Sequence, residues 1–161
     1  MIDFHDVSVS FDLPNGEDHS VLDEVSFHLD RSDKAYLVGP TGSGKSTILR
    51  LLYMDLFPDA GTVRIGDYAS DRIDEDDIPY LRRSIGVVFQ DFQLLPDRSA
   101  YENVAFALHA TGASRATIEE RVTKALGRVG LTHKRRNYPH ELSGGEQQRV
   151  VIARAIANDP W

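Results

Sequence analysis

Eight residues constrain this chain more than any other stretch: Gly39-Pro40-Thr41-Gly42-Ser43-Gly44-Lys45-Ser46. The run Lys34-Ala35-Tyr36-Leu37-Val38 precedes them and reads as a buried strand, and Thr47-Ile48-Leu49-Arg50-Leu51-Leu52 follows as a packed helix. Strand, glycine-rich loop and helix in that order form the setting in which backbone amides cradle a polyphosphate. Glycine lets the loop turn sharply and come close to the anion, so that successive N–H groups converge on its oxygens. The helix start adds only about 0.3 to 2 kcal/mol, whereas micromolar binding needs roughly 8 kcal/mol. The amide nest, the Lys45 ammonium and a metal must therefore act together. Ser46 is the candidate ligand for Mg²⁺, and Thr47 is placed to reach the next phosphate back.

The rest of the composition narrows the class. With 161 residues, 41% of them hydrophobic, the chain can bury a core and reads as one domain with room for a subdomain. Eighteen basic against twenty-five acidic residues give a net charge of −7, which argues against nucleic acid as a partner. Cysteine is absent, which excludes disulfides and thiolate chemistry. The six histidines are scattered, and His5, His28 and His109 fall within strand or helix patterns rather than metal-ligand spacings. The N-terminus carries no targeting pattern, and no stretch approaches the ~20 apolar residues of a membrane span, so a soluble chain is expected.

Along the chain, Ile2 and Phe4, then Val7, Val9 and Phe11, alternate with polar residues on either side of a slip at Asp6, which predicts a strand with a bulge. Residues 13–19 read as a polar turn, and Val21, Leu22, Val25, Phe27 and Leu29 as an antiparallel partner strand. Pro58-Asp59-Ala60-Gly61 predicts a turn into the strand Thr62-Val63-Arg64-Ile65, and Ile78, Leu81 and Arg82 suggest a short helix. Ile85-Gly86-Val87-Val88-Phe89 reads as a second continuous apolar strand delivering Gln90. From residue 91 the pattern turns helical: Ser99 caps one helix, and Ile118, Val122, Ala125, Leu126 and Val129 stripe another. Thr117 and Glu120 have capping-box spacing at the start of the second helix, and Gly130 ends it.

A second motif stands at Leu142-Ser143-Gly144-Gly145-Glu146-Gln147-Gln148-Arg149. Ser143 and Glu146 read as a capping box in front of the apolar run from Val150 to Ile156. Two glycines in the first turn cost such a helix about 1 kcal/mol each relative to alanine, so approachable amides are needed there, and an anion is the natural occupant.

With both motifs in view, the chain resembles the ATP-binding subunit of an ABC transporter. Residues 39–46 match the family's Walker A loop, Phe89-Gln90 its Q-loop and residues 142–147 its signature sequence. Soluble kinases lack the signature, and DNA-repair ATPases separate the two motifs by a long coiled coil, whereas Lys45 and Ser143 stand 98 positions apart. Within the family, the residues around Arg82 to Asp91, Leu94 to Arg98 and Tyr101 to Val104 most resemble the FtsE-like cell-division branch. The lipoprotein-release and macrolide-export branches are near alternatives.

The resemblance implies an α/β P-loop NTPase core (1–90) with an antiparallel β part, a helical subdomain (91–142) and a signature helix (143–161) leading back to core strands. It implies ATP and Mg²⁺ as cofactors, with Lys45 and Gln90 catalytic and Ser46 and Gln90 at the metal. It also implies a head-to-tail homodimer in which Ser143, Gly144, Gly145 and Glu146 of one copy meet the nucleotide on the Walker A loop of the other. Phe11 stands where the family stacks an aromatic on adenine. Residues 91–103 are expected to contact an integral membrane, permease-like (FtsX-like) subunit, which places the protein on the cytoplasmic face of the membrane. In the family the Walker B strand and its acidic residues follow the turn at Asn158-Asp159-Pro160-Trp161. The 161-residue polypeptide is accordingly expected to hydrolyse ATP poorly, to be unstable alone and to expose Leu37 and Val38.

Overall fold

The computed structural model describes residues 1–14, 16 and 18–161, so Asn15 and Glu17 of the expected turn lie outside the described residues. The chain forms two compact units, Met1–Arg82 and Arg83–Trp161.

In the first unit, β1 (Ile2–Asp12) and β2 (Asp18–Leu29) pair antiparallel, and β3 (Ala60–Ile65) takes the other edge of β1. A two-residue β4 (Tyr68–Ala69) completes the order β2-β1-β3-β4. Alternation drives the pairing: Phe4, Val7, Val9, Leu22, Val63 and Ile65 are buried, and Phe4 stacks on Phe27 across the ladder with ring centroids 4.4 Å apart. The slip expected at Asp6 is a register shift between Phe4 and Val7, with Asp6 at φ 49°. The Asp6 N–H donates to Ser26 Oγ at 2.8 Å, so the bulge is hydrogen-bonded rather than loose. Gly61 lies against this bulge at φ 80°, where a Cβ would collide with the Asp6 carbonyl oxygen.

Helix α1 (Lys45–Leu52) buries Thr47 and Leu51, and α2 (Ile78–Ser84) buries Leu81. The Arg82 guanidinium donates to the carbonyls of Tyr53 and Met54, both at 2.9 Å, and so satisfies acceptors just past the C-terminus of α1.

Two apolar runs that read as buried strands are not strands. Residues 34–38 and 85–89 carry no strand pairing, and Tyr36 and Val38 are 90% and 87% exposed. Leu37, Val88 and Phe89 also present large apolar area. A continuous apolar run becomes a buried strand only with ladders on its edges and layers on its faces. Among the described residues the single sheet is the four-stranded one above, and it offers these runs neither.

In the second unit, α3 (Ala100–His109), α4 (Arg115–Arg128) and α5 (Gly144–Ile156) share one core. Val104 and Leu108 from α3, Val122 and Leu126 from α4, and Val150 and Ala153 from α5 are essentially inaccessible. Ser99 caps α3 in a full capping box with Glu102. The box expected from Thr117 and Glu120 is not formed: Ser114 is the N-cap of α4, and its hydroxyl accepts from the Thr117 N–H at 3.2 Å. Helix α4 thus starts one turn earlier than the apolar stripe alone indicates, and Thr117 spends its hydroxyl on Ser114 Oγ at 2.8 Å. Gly130 follows the helix at φ 72°, as expected of a C-terminal glycine.

Candidate functional site

The glycine-rich loop of the first unit is solvent-exposed from Gly39 through Ser43 and turns into α1 at Gly44. Gly44 has φ 81° and ψ 2°, and a Cβ there would stand 2.8 Å from Leu22 Cδ2. Only glycine meets both demands. Among the described residues no side chain caps α1, which leaves its first-turn amides open to an anion. The Lys45 ammonium folds back over the loop and donates to the carbonyls of Gly39 (2.8 Å) and Pro40 (2.6 Å), with Ser43 Oγ at 3.4 Å. Ser46 is exposed beside it, while Thr47 is buried at the root of the helix. An uncapped helix start, an open glycine loop and one mobile cation form a donor set suited to a polyphosphate with its divalent metal.

The start of α5, in the second unit, is built differently. Ser143 N–H and Oγ both donate to Glu146 Oε2 at 2.9 Å, and Ser143 Oγ accepts from Glu146 N–H at 3.4 Å. These bonds, first from the Ser143 backbone and then from its hydroxyl, hold the Glu146 carboxyl below the usual carboxylate range. Lys134 adds a cation 3.8 Å from Glu146 Oε1. Gln147 donates to the carbonyls of Pro139 (2.9 Å) and Leu142 (3.2 Å), which fixes the loop leading into the helix. A Cβ at Gly144 would meet nothing within 4 Å, and at Gly145 only the Arg149 guanidinium at 3.9 Å. Packing within the chain therefore does not require glycine at either position, and the helix carries their cost with its face open.

Gln90 is exposed on a turn at the end of the 85–89 segment. Phe11, near the end of β1 opposite His19, is half-buried. The structure thus gathers the residue 39–47 set in one unit, and Gln90 with Ser143 to Glu146 in the other. Of residues 91–103, the stretch 96–98 is exposed, whereas Leu94 packs on the helical core and Ser99, Ala100 and Asn103 are buried.

Lys134, Asn103 and Arg154 carry much of the local order and are not marked by any motif. Asn103, fully buried, donates to the carbonyls of Leu95, Arg98 and Ser99 and accepts from the Leu95 N–H. Arg154, on α5, donates to the carbonyls of Gln93 and Phe92.

Residues 22–161 match the sequence model of the ABC transporter family. The chain belongs to that family. Among curated ABC relatives it is 46% identical over 160 residues to the cell division ATP-binding protein FtsE of Streptococcus pneumoniae, and 44% identical to that of Bacillus subtilis. Those alignments cover 99% of this chain and 68% of each relative. The Escherichia coli FtsE is 47% identical over 139 residues, covering 86% of this chain and 63% of that protein. A bacterial ABC transporter cassette solved as a dimer superposes with a TM-score of 0.88 at 34% identity, covering 99% of this chain and 71% of that one. The same cassette in a post-hydrolysis state bound to ADP and phosphate gives 0.87 at 33% identity. This chain is thus an ABC-type ATP-binding subunit, with the ABC ATPase fold.

Proposed function

We propose that the 39–47 loop holds the triphosphate of ATP and that the protein hydrolyses it as the ATP-binding subunit of an ABC complex of the cell-division type. The observation that carries this reading is the uncapped start of α1 beneath a glycine loop whose lysine, among the described residues, is held by carbonyls and a hydroxyl of the loop itself. In the proposed assignment, amides from Gly39, Thr41, Gly42, Ser43 and Gly44 surround the phosphates, while Pro40, which has no N–H, shapes the turn of the loop. Lys45 leaves its carbonyls for phosphate oxygens, and Thr47 supports the next phosphate. Ser46 and Gln90 would hold Mg²⁺, which when bound neutralises phosphate charge. Phe11 supplies a ring for the base.

The open glycines of α5 support the second half of the reading. A helix start that keeps two glycines with no packing need for them suits approach by an anion held on another molecule. Ser143, Gly144 and Gly145, steadied by Glu146, would meet the phosphates held by a second copy in a head-to-tail homodimer. The names of the relatives point to cell division, and a permease-like integral membrane subunit would receive the motion through residues 91–103. No helix among the described residues is long and apolar enough to cross a membrane, so the membrane contact is assigned to that partner, at its cytoplasmic face.

The test is titration of the full-length protein with Mg·ATP, alongside Lys45→Ala and Ser143→Ala. The expected result is weakened binding for Lys45→Ala, and near-normal binding by isolated copies with failed pairing for Ser143→Ala. Unchanged binding in Lys45→Ala sinks the proposal.

A further inference from the structure

The segment that follows Gln90 is held in an unusual way. Phe92 and Gln93, neither of them glycine, both adopt left-handed backbone, at φ 53° and 47°. Two consecutive L-residues in that region persist only where the surroundings impose it. What bears on them is Arg154, 61 and 62 positions away on α5, in the same compact unit. Its guanidinium donates from one nitrogen to the Gln93 carbonyl at 2.7 Å and from another to the Phe92 carbonyl at 3.1 Å.

The chemistry of this contact is specific. Arg154 is partly buried, and burial lowers its proton affinity. Among the described residues no carboxylate lies within ion-pair distance of it. An arginine drawn out of water without an anion is costly unless its N–H groups are satisfied. Here the two backbone carbonyls answer it, and a planar fork suits two acceptors set side by side. Leu94 then packs on the helical core, and Asn103 holds Leu95 from the other end. The backbone two and three residues after Gln90 is thus tied to the helix that begins at Ser143.

We propose that Arg154 is a positioning residue for Gln90: it fastens the 92–93 turn to α5, so that Gln90 and the signature end of that helix move as one piece. A shift of α5 when a nucleotide is enclosed would be carried to Gln90 through two hydrogen bonds rather than through the exposed loop. The inference rests on the reading of Gln90 given above.

The test uses the full-length protein with Arg154→Met, Arg154→Lys, Gln90→Ala and the Gln90→Ala/Arg154→Met double variant. Amide hydrogen exchange at residues 92–95 reads the clamp without reference to activity, and steady-state ATP hydrolysis reads its consequence. Arg154→Met is expected to speed exchange there by about tenfold or more. It is expected to lower kcat by about tenfold with KM within about twofold. Lysine, a single ammonium in place of the fork, gives intermediate values and covers the case in which methionine prevents folding. The double variant should be no slower than Gln90→Ala alone. Unchanged exchange in Arg154→Lys and Arg154→Met, or kcat losses that multiply in the double variant, overturns the proposal. If Gln90→Ala hydrolyses ATP at the normal rate, the reading of Gln90 falls instead, while faster exchange in Arg154→Met still supports the clamp.

Discussion

Lys45 Nζ lies 2.6 Å from the carbonyl oxygen of Pro40, five residues back in the same loop. The ammonium holds the loop in the shape it needs and occupies the position from which it would reach a phosphate. Because the contact is exposed, breaking it costs little folding stability. Lys45→Met should therefore weaken Mg·ATP binding by tenfold or more in calorimetric titration while leaving the thermal midpoint nearly unchanged.

Gly44 is fixed by the start of α1 on one side and β2 on the other. Alanine there combines a left-handed backbone with a contact of 2.8 Å to Leu22 Cδ2. Gly44→Ala should lose about 1 to 3 kcal/mol of stability, measured by denaturant unfolding, and should distort the loop enough to weaken ATP as well. Gly144→Ala meets no atom within 4 Å and should stabilise isolated copies slightly, by up to about 1 kcal/mol.

Asn103 makes four hydrogen bonds from a site with no solvent exposure. Asn103→Leu takes the partner from the Leu95 amide and the Arg98 carbonyl, while the Leu95 and Ser99 carbonyls keep the backbone N–H groups of Arg98 and Asn103. A loss of about 2 to 4 kcal/mol is expected, with residues 94–99 becoming the first protease-sensitive stretch of the helical unit.

Local chemistry is the most legible part of this sequence. The glycine loop, the Ser143 and Glu146 capping box, the Ser99 cap and the Asp6 slip each depend on spacings of a few residues, and each stands where expected. Residues 34–38 and 85–89 form no strand because an apolar run records a preference for burial without supplying the ladder that grants it, and the exposure of Leu37 and Val38 is as expected. Ser114 and Thr117 both precede the apolar stripe of α4, and spacing to a glutamate points to Thr117, whereas the hydroxyl that caps the helix is that of Ser114. Arg154 left no trace in the pattern: its partners are carbonyls, which every residue carries, and their distance in sequence hides the contact. Substituting each cap candidate checks the correction, with Ser114→Ala expected to cost about 1 kcal/mol and Thr117→Ala clearly less.

Stability should respond to acid and to base through different units. Glu102, Glu119 and Glu146 are held below the usual carboxylate range, the first by the backbone N–H of Ser99, the second by the Tyr101 hydroxyl and the third by the backbone N–H of Ser143. Their contribution is present above the ordinary value of 4.5 and is lost as pH falls through the lower folded values, so the helical unit should weaken in that range. His28 is raised by hydrogen bonds to Asp3 and then Asp30. Its contribution is complete below the ordinary 6.5 and is lost as pH rises through its higher folded value. A histidine NMR titration should place the His28 midpoint above 6.5, and His28→Gln should remove that part of the alkaline loss.

The central claim is that the residue 39–47 loop of one molecule and the Ser143 start of α5 in another enclose the same nucleotide. Sedimentation of the full-length protein with Mg²⁺ and a non-hydrolysable ATP analogue measures this most directly, using Lys45→Ala and Gly144→Arg separately and mixed. Each variant alone should stay monomeric, and the mixture should form a heterodimer holding a single nucleotide between its one intact loop and its one intact helix start. A wild-type protein that binds the analogue yet remains monomeric at every concentration would contradict the account.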